Sequence, residues 1–126
     1  MTRDEILNIP AGREIDTIIL RDILKYKPVY VQEGALFGTV GELDCWYDEG
    51  GMFVPLGTSP SNDISTAWKV VEKMKENPDV GIALSDYSSG GFCFTFFGPG
   101  MFEYEGDAET VPLAICRAAL LAVAAV

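Results

Sequence analysis

The sequence predicts one α+β domain in which helices pack on a mostly antiparallel sheet. Three observations carry that expectation. The chain has 126 residues, 48% of them hydrophobic and 11% aromatic, which is one domain's length and enough apolar surface to build one core. Segments with helical spacing open the chain, occupy its middle and close it. Short alternating or β-branched segments with turn signals lie between them, without the regular strand–helix repeat of a parallel sheet. Residues 1–126 therefore read as a single domain, with no internal repeat, linker or low-complexity tract.

Thr2-Arg3-Asp4-Glu5 has the spacing of a capping box, and Ile6, Leu7 and Ile9 follow it. A short helix is expected there, stopping at Pro10-Ala11-Gly12. A second helix is expected over residues 13–26, because Ile15, Ile18, Ile19, Ile23 and Tyr26 recur on one face and Pro28 ends the run. That register places Arg13, Asp16, Arg21 and Lys25 mainly on the wet side. Val29-Tyr30-Val31 begins an extended region. In residues 42–47, Leu43, Cys45 and Tyr47 share one face of a strand and Asp44 and Trp46 the other. Asp48-Glu49-Gly50-Gly51 is a hairpin turn signal, with Met52-Phe53-Val54 returning.

Ser59-Pro60 fits an N-cap followed by proline at the first helical position, and Asn62 or Asp63 offers an alternative cap. Ile64, Ala67, Trp68, Val71 and Met74 are expected to form the apolar stripe, with Lys69, Lys73 and Lys75 complementing the C-terminal dipole before Asn77-Pro78. Residues 80–84 and 92–97 read as two strands, and 101–105 as a third after a Gly98-Pro99-Gly100 turn. The last helix begins near Thr110 or Val111 with Pro112 in its first turn. Residues 118–126 are apolar on every side, so that helix needs cover from the core or from a second copy, and a homo-oligomer is expected.

Charge narrows the chemistry. Nineteen acids oppose nine bases, for a net charge of −10. No base lies between Lys27 and Lys69, or between Lys75 and Arg117, and the strands are expected in those intervals. Cationic groups are thereby confined to helices. Phosphate backbones require clustered Lys and Arg, so a sheet-based nucleic-acid binder is disfavoured. No apolar run reaches the ~20 residues that cross a bilayer. The acidic start, with no apolar segment behind it, argues against a secretion signal and for a cytoplasmic location. Cys45, Cys93 and Cys116 show no paired-thiolate spacing and read as buried small hydrophobes.

Several segments resemble the phage ABA sandwich domain family of small phage and prophage proteins. They are Met1-Thr2-Arg3-Asp4-Glu5-Ile6-Leu7-Asn8, Gly12-Arg13-Glu14-Ile15-Asp16, Ser59-Pro60-Ser61-Asn62-Asp63-Ile64, Ala67-Trp68-Lys69-Val70-Val71-Glu72, and Pro112-Leu113-Ala114-Ile115-Cys116-Arg117-Ala118-Ala119-Leu120. The Ser-Pro-Ser-x-Asp and Pro-Leu-x-Ala segments are also similar, more weakly, to those of NinX-like phage proteins. The resemblance implies a three-layer α-β-α sandwich and a phage origin, and carries no catalytic assignment.

Without histidine the chain cannot assemble Ser-His-Asp or Cys-His catalysis, and no cofactor is expected. Lys69, Lys73 and Lys75 lie on a face expected to be solvated. Glu42, Asp44, Asp48 and Glu49 could ligate a hard cation, although their spacing matches no known loop and a turn on an acidic protein contains such residues anyway. Ser59, Ser61, Asn62 and Asp63 are the most informative group, because hydroxyls and free N–H groups at a helix start can cradle a polar ligand; ordinary capping explains the same residues. Trp46 and Tyr47, with Phe92, Phe94 and Phe96, could supply stacking surfaces, although one alternating face must pack the core; Trp68 is a further ligand-binding candidate, and Arg13, Arg21 or Arg117 could supply a countercharge. The leading expectation is a non-catalytic binding protein that captures a host molecule, conceivably a nucleotide-derived immune signal. Its alternatives are an acidic inhibitor that covers a basic host protein, and a metal-dependent carboxylate enzyme.

Overall fold

A computed structural model describes residues 1–98 and 103–124. In chain order the elements are α1 (Arg3–Asn8), α2 (Arg13–Ile18) continuing into a π-helical turn (Ile19–Ile23), β1 (Lys27–Tyr30), β2 (Leu43–Tyr47), β3 (Phe53–Val54), α3 (Ile64–Met74), β4 (Gly81–Asp86), β5 (Phe92–Phe97), β6 (Glu103–Ala108) and α4 (Val111–Ala124). The Thr2–Glu5 capping box forms as its spacing requires. The Gly98-Pro99-Gly100 turn, and Met101 at the start of the third expected strand, lie outside or at the limit of the described residues.

The class is α+β and all strand pairs are antiparallel, but the strands make two sheets, ordered β1-β2-β3 and β4-β5-β6. The first sheet has no ladder left to extend. Pro28 removes a donor from β1, a register shift follows at Val29/Tyr30, and β3 has two residues before Pro55. The three-layer arrangement is not confirmed. Helix α4 packs on β5 and β6 from the face of Phe94 and Phe96, and α3 packs behind α4.

Helix α4 is the centre of the molecule. Leu113 to Leu121 are buried except Arg117, so the cover that its uniformly apolar sequence demands comes from the chain's own sheet and helices. Close approach is possible because residues at the contact are small. Gly106 of β6 faces α4, and a Cβ there would collide with the Ala114 carbonyl and the Ala118 backbone. Arg117, the one charged residue in that span, is latched to backbone. Its Nη1 donates to the Asp107 carbonyl at 2.7 Å and its Nη2 to the Ile9 carbonyl at 2.8 Å. Partial burial lowers its pKa, and Glu109 and Asp107 nearby partly offset this.

Two helices depart from expectation. The second changes from α to π at Ile19 and closes with Lys25 in the left-handed region (φ 60°), while the Tyr26 N–H reaches back to the Leu20 carbonyl at 2.8 Å. That seven-residue closure is one residue wider than a Schellman end because it terminates a π turn, so the helix stops before Tyr26, and Lys27 opens β1. One base therefore sits on a strand, contrary to the expected confinement to helices. In α3 the cap is Asp63, and the buried face is Thr66, Ala67, Val70 and Val71. Ile64 and Trp68, expected in the stripe, are 49% and 43% exposed.

Gly106→Ala is expected to cost about 3 kcal/mol or more, the upper range for overpacking against rigid backbone. Denaturant unfolding measures it, and a loss below ~0.5 kcal/mol would contradict the close approach of α4 to β6.

Candidate functional site

Gly12, which precedes α2, and the loop before α3 meet through one hydrogen-bonded chain. The Asp16 carboxylate, 7% exposed, accepts from Ser59 Oγ at 2.5 Å and from the Ser61 N–H at 2.8 Å. Ser59 Oγ in turn accepts from Asn62 Nδ2 at 3.0 Å, and Ser61 Oγ accepts from the Gly12 N–H at 3.0 Å. Each buried polar side chain here has a partner, as a low-dielectric interior requires. Asp16, expected on the wet side of α2, is thus the hub of the junction. The signal that could have placed it is Leu20. Leu20 is buried one turn further on, so the buried face of α2 is wide enough to include both residues.

A cavity of about 250 Å³ opens beside this junction, lined among others by Arg13, Asp16, Trp46, Leu56, Ser59 and Asn62. Four of the residues singled out from the sequence, Arg13, Trp46, Ser59 and Asn62, therefore share one wall system. Trp46, 2% exposed, reaches it from β2 as part of the core. The other candidates lie elsewhere. Ser61 is fully buried behind the cavity, and Asp63 caps α3 by accepting from the Thr66 N–H at 3.1 Å and Oγ1 at 2.7 Å. Tyr47 and Trp68 are exposed and do not line the cavity, and Arg117 holds α4 to β6 as described above.

The remaining chemistry is structural. Phe94 and Phe96 are buried with ring centroids 5.1 Å apart, which removes them as stacking surfaces. Lys73 donates to Glu49 at 2.6 Å and lies 3.4 Å from Glu76; its pKa is raised, chiefly by the Glu49 bond, away from what a general base needs. Among the described residues no three carboxylates or thiols gather as a metal cluster, Asp44 and Asp48 included. Cys45, Cys93 and Cys116 are free and buried, and burial raises the Cys116 thiol well above its ordinary value. Tyr87 donates to Asp107 at 2.6 Å, and that bond holds its phenol well above the usual tyrosine range.

The fold and the cavity define a small α+β domain with a polar junction between α2 and the loop before α3. The model of the phage ABA sandwich domain matches residues 21–120, and the chain belongs to that family. The 2.0 Å crystal structure of a phage protein from Bacillus cereus ATCC 14579 shares the fold, with TM-score 0.60 and 24% identity over 93% of both chains. No curated protein matches the chain. The weaker likeness to NinX-like proteins finds no support in these matches.

Asp16→Ala should destabilise the fold by about 2–3 kcal/mol, because Ser59 and Ser61 each lose a charged acceptor in a buried site. In a double-mutant cycle with Ser59→Ala, a coupling of about 1 kcal/mol is expected, and additive losses would show that the two side chains do not share a bond. Asp63 gives a second test. The Thr66 hydroxyl and N–H hold its folded-state pKa below the ordinary carboxylate value. Its contribution is present above the unfolded pKa and is lost as pH falls through the lower folded value. Thermal unfolding of Asp63→Asn should therefore show a shallower acid dependence than the parent, and parallel curves would contradict the cap.

Proposed function

We propose that this chain is a non-catalytic phage accessory protein that holds a small polar host molecule in the Arg13–Trp46–Asn62 cavity, and that a nucleotide-derived immune signal is the ligand to test first. The observation that carries the reading is convergence: Arg13 from α2, Trp46 from β2, and Ser59 and Asn62 from the loop before α3 line one cavity. Guanidinium, amide, hydroxyl and indole together suit a ring bearing hydrogen-bonding groups and at most a small negative charge. The 250 Å³ volume lies just under the ~300–1,000 Å³ of drug-sized sites, so a mononucleotide or a smaller fragment fits better than a dinucleotide. Arg13 is the one cation on the wall and Asp16 the one acid, which disfavours a polyphosphate. In a thermal-shift and calorimetric panel of cyclic nucleotides and ADP-ribose derivatives, at least one compound should stabilise the parent. Arg13→Glu should weaken that binding about tenfold or more, as loss of a charge-assisted bond does. A flat response across the panel removes the reading.

A second reading is supported by a separate observation. Glu103, Glu105 and Asp107 share the face of β6 turned away from α4, and no Lys or Arg lies between Lys75 and Arg117. Such a face suits a basic host protein covered by electrostatic complementarity. Capture of a basic partner should then weaken steeply with salt; association unchanged at high salt would exclude it.

A further inference from the structure

We infer that two copies of this chain join edge to edge through β4, turning two β4-β5-β6 sheets into one continuous six-stranded sheet. Sheet edges expose unpaired N–H and C=O groups, and proteins that must stay single protect them with charge, proline, bulges or brevity. Three of the four edges among the described residues carry such a device. β1 has Lys27, Pro28 and a register shift. β3 has two residues and then Pro55. β6 alternates Glu103, Glu105 and Asp107. β4 has none: Gly81-Ile82-Ala83-Leu84-Ser85 is uncharged, free of proline and paired with β5 in unbroken register, with a charge only at Asp86.

The register also fixes which backbone groups are available. The Tyr87 N–H bonds to the Gly91 carbonyl, continuing the ladder in which Ser85, Ala83 and Gly81 bond to β5. The alternation of an antiparallel pair then points the N–H and C=O of Ile82, Leu84 and Asp86 outward. A second β4, antiparallel about a two-fold axis at Leu84, sets Leu84 opposite Leu84 and Ile82 opposite Asp86, each as a hydrogen-bonded pair. Ala83 faces Ser85 between them, two small side chains that do not collide. The two Asp86 carboxylates fall at opposite ends, so the pairing creates no like-charge contact. Leu84 shares a face with Phe94, which α4 buries, yet Leu84 itself is 52% exposed because α4 covers β5 and β6 but not β4. Pairing brings the two Leu84 side chains together across the axis and extends the apolar face. A self-complementary strand of this kind fits a second copy better than a foreign strand, since the contact is closed and isologous.

Light scattering across a concentration series should show the parent rising from 13.7 kDa toward twice that mass. Leu84→Pro removes an outward N–H and leaves the β5 ladder intact, so it should hold the mass at 13.7 kDa. Leu84→Cys under mild oxidation should give a covalent dimer, and Leu36→Cys, on the most exposed loop side chain, should give far less. A parent that stays monomeric throughout, a dimer that survives Leu84→Pro undiminished, or cross-linking at position 84 no greater than at position 36 would each overturn the proposal. If Leu84→Pro fails to fold, the comparison of the two cysteine variants decides alone.

Discussion

The closeness of α4 to β6 at Gly106 is the constraint on which the rest of the molecule depends. Three layers of contact meet along one helix: Phe94 and Phe96 from the sheet, Val70 and Val71 from α3, and Ile6 from α1 all join the core that α4 organises. A helix can serve so many neighbours only if its own side chains are short, and Ala114, Ala118 and Ala119 meet that need. The cost is specificity of position. Where Gly106 allows backbone to touch backbone, nothing larger is tolerated, and the register of β6 follows from it.

That arrangement covers the apolar C-terminal helix from within the chain as far as Ala122. In sequence, nine uncharged residues at the end of a chain look like an unmet need for a partner. In the fold, the sheet meets one side of the helix and α3 the other, while Arg117 is bonded to backbone carbonyls beside it. Among the described residues, β4 is the edge strand that carries neither proline nor a charge before Asp86, and Leu84 on its apolar face stays 52% exposed beside α4.

Most elements were legible because local chemistry specifies them: the Thr2 box, the Asp48 hairpin, the unbroken Phe92–Phe97 strand and Pro112 in the first turn of the last helix. What periodicity could not supply was phase and partner. Ile64 and Trp68 fit a helical stripe, but the helix begins only at Ile64, and α4 meets the face carrying Ala67, Val70 and Val71. Asp16 was misread for the same reason. A charge on a short amphipathic helix looks solvated until a distant segment, here Ser59 and Ser61, provides the donors that make its burial tolerable. The separation of the strands into two sheets was equally invisible, since it turns on Pro28 and a two-residue β3, not on hydrophobic pattern.

The junction around Asp16 builds one wall of the cavity and joins two distant stretches of chain. The Asp16 carboxylate accepts short bonds from the Ser59 hydroxyl and the Ser61 N–H, and these bonds tie α2 to the loop before α3. Lys73 is paired with Glu49 and Glu76, and the three cysteines are buried. The cavity wall carries the Arg13 guanidinium and the Asn62 amide, whereas Trp46, 2% exposed, belongs to the core behind it.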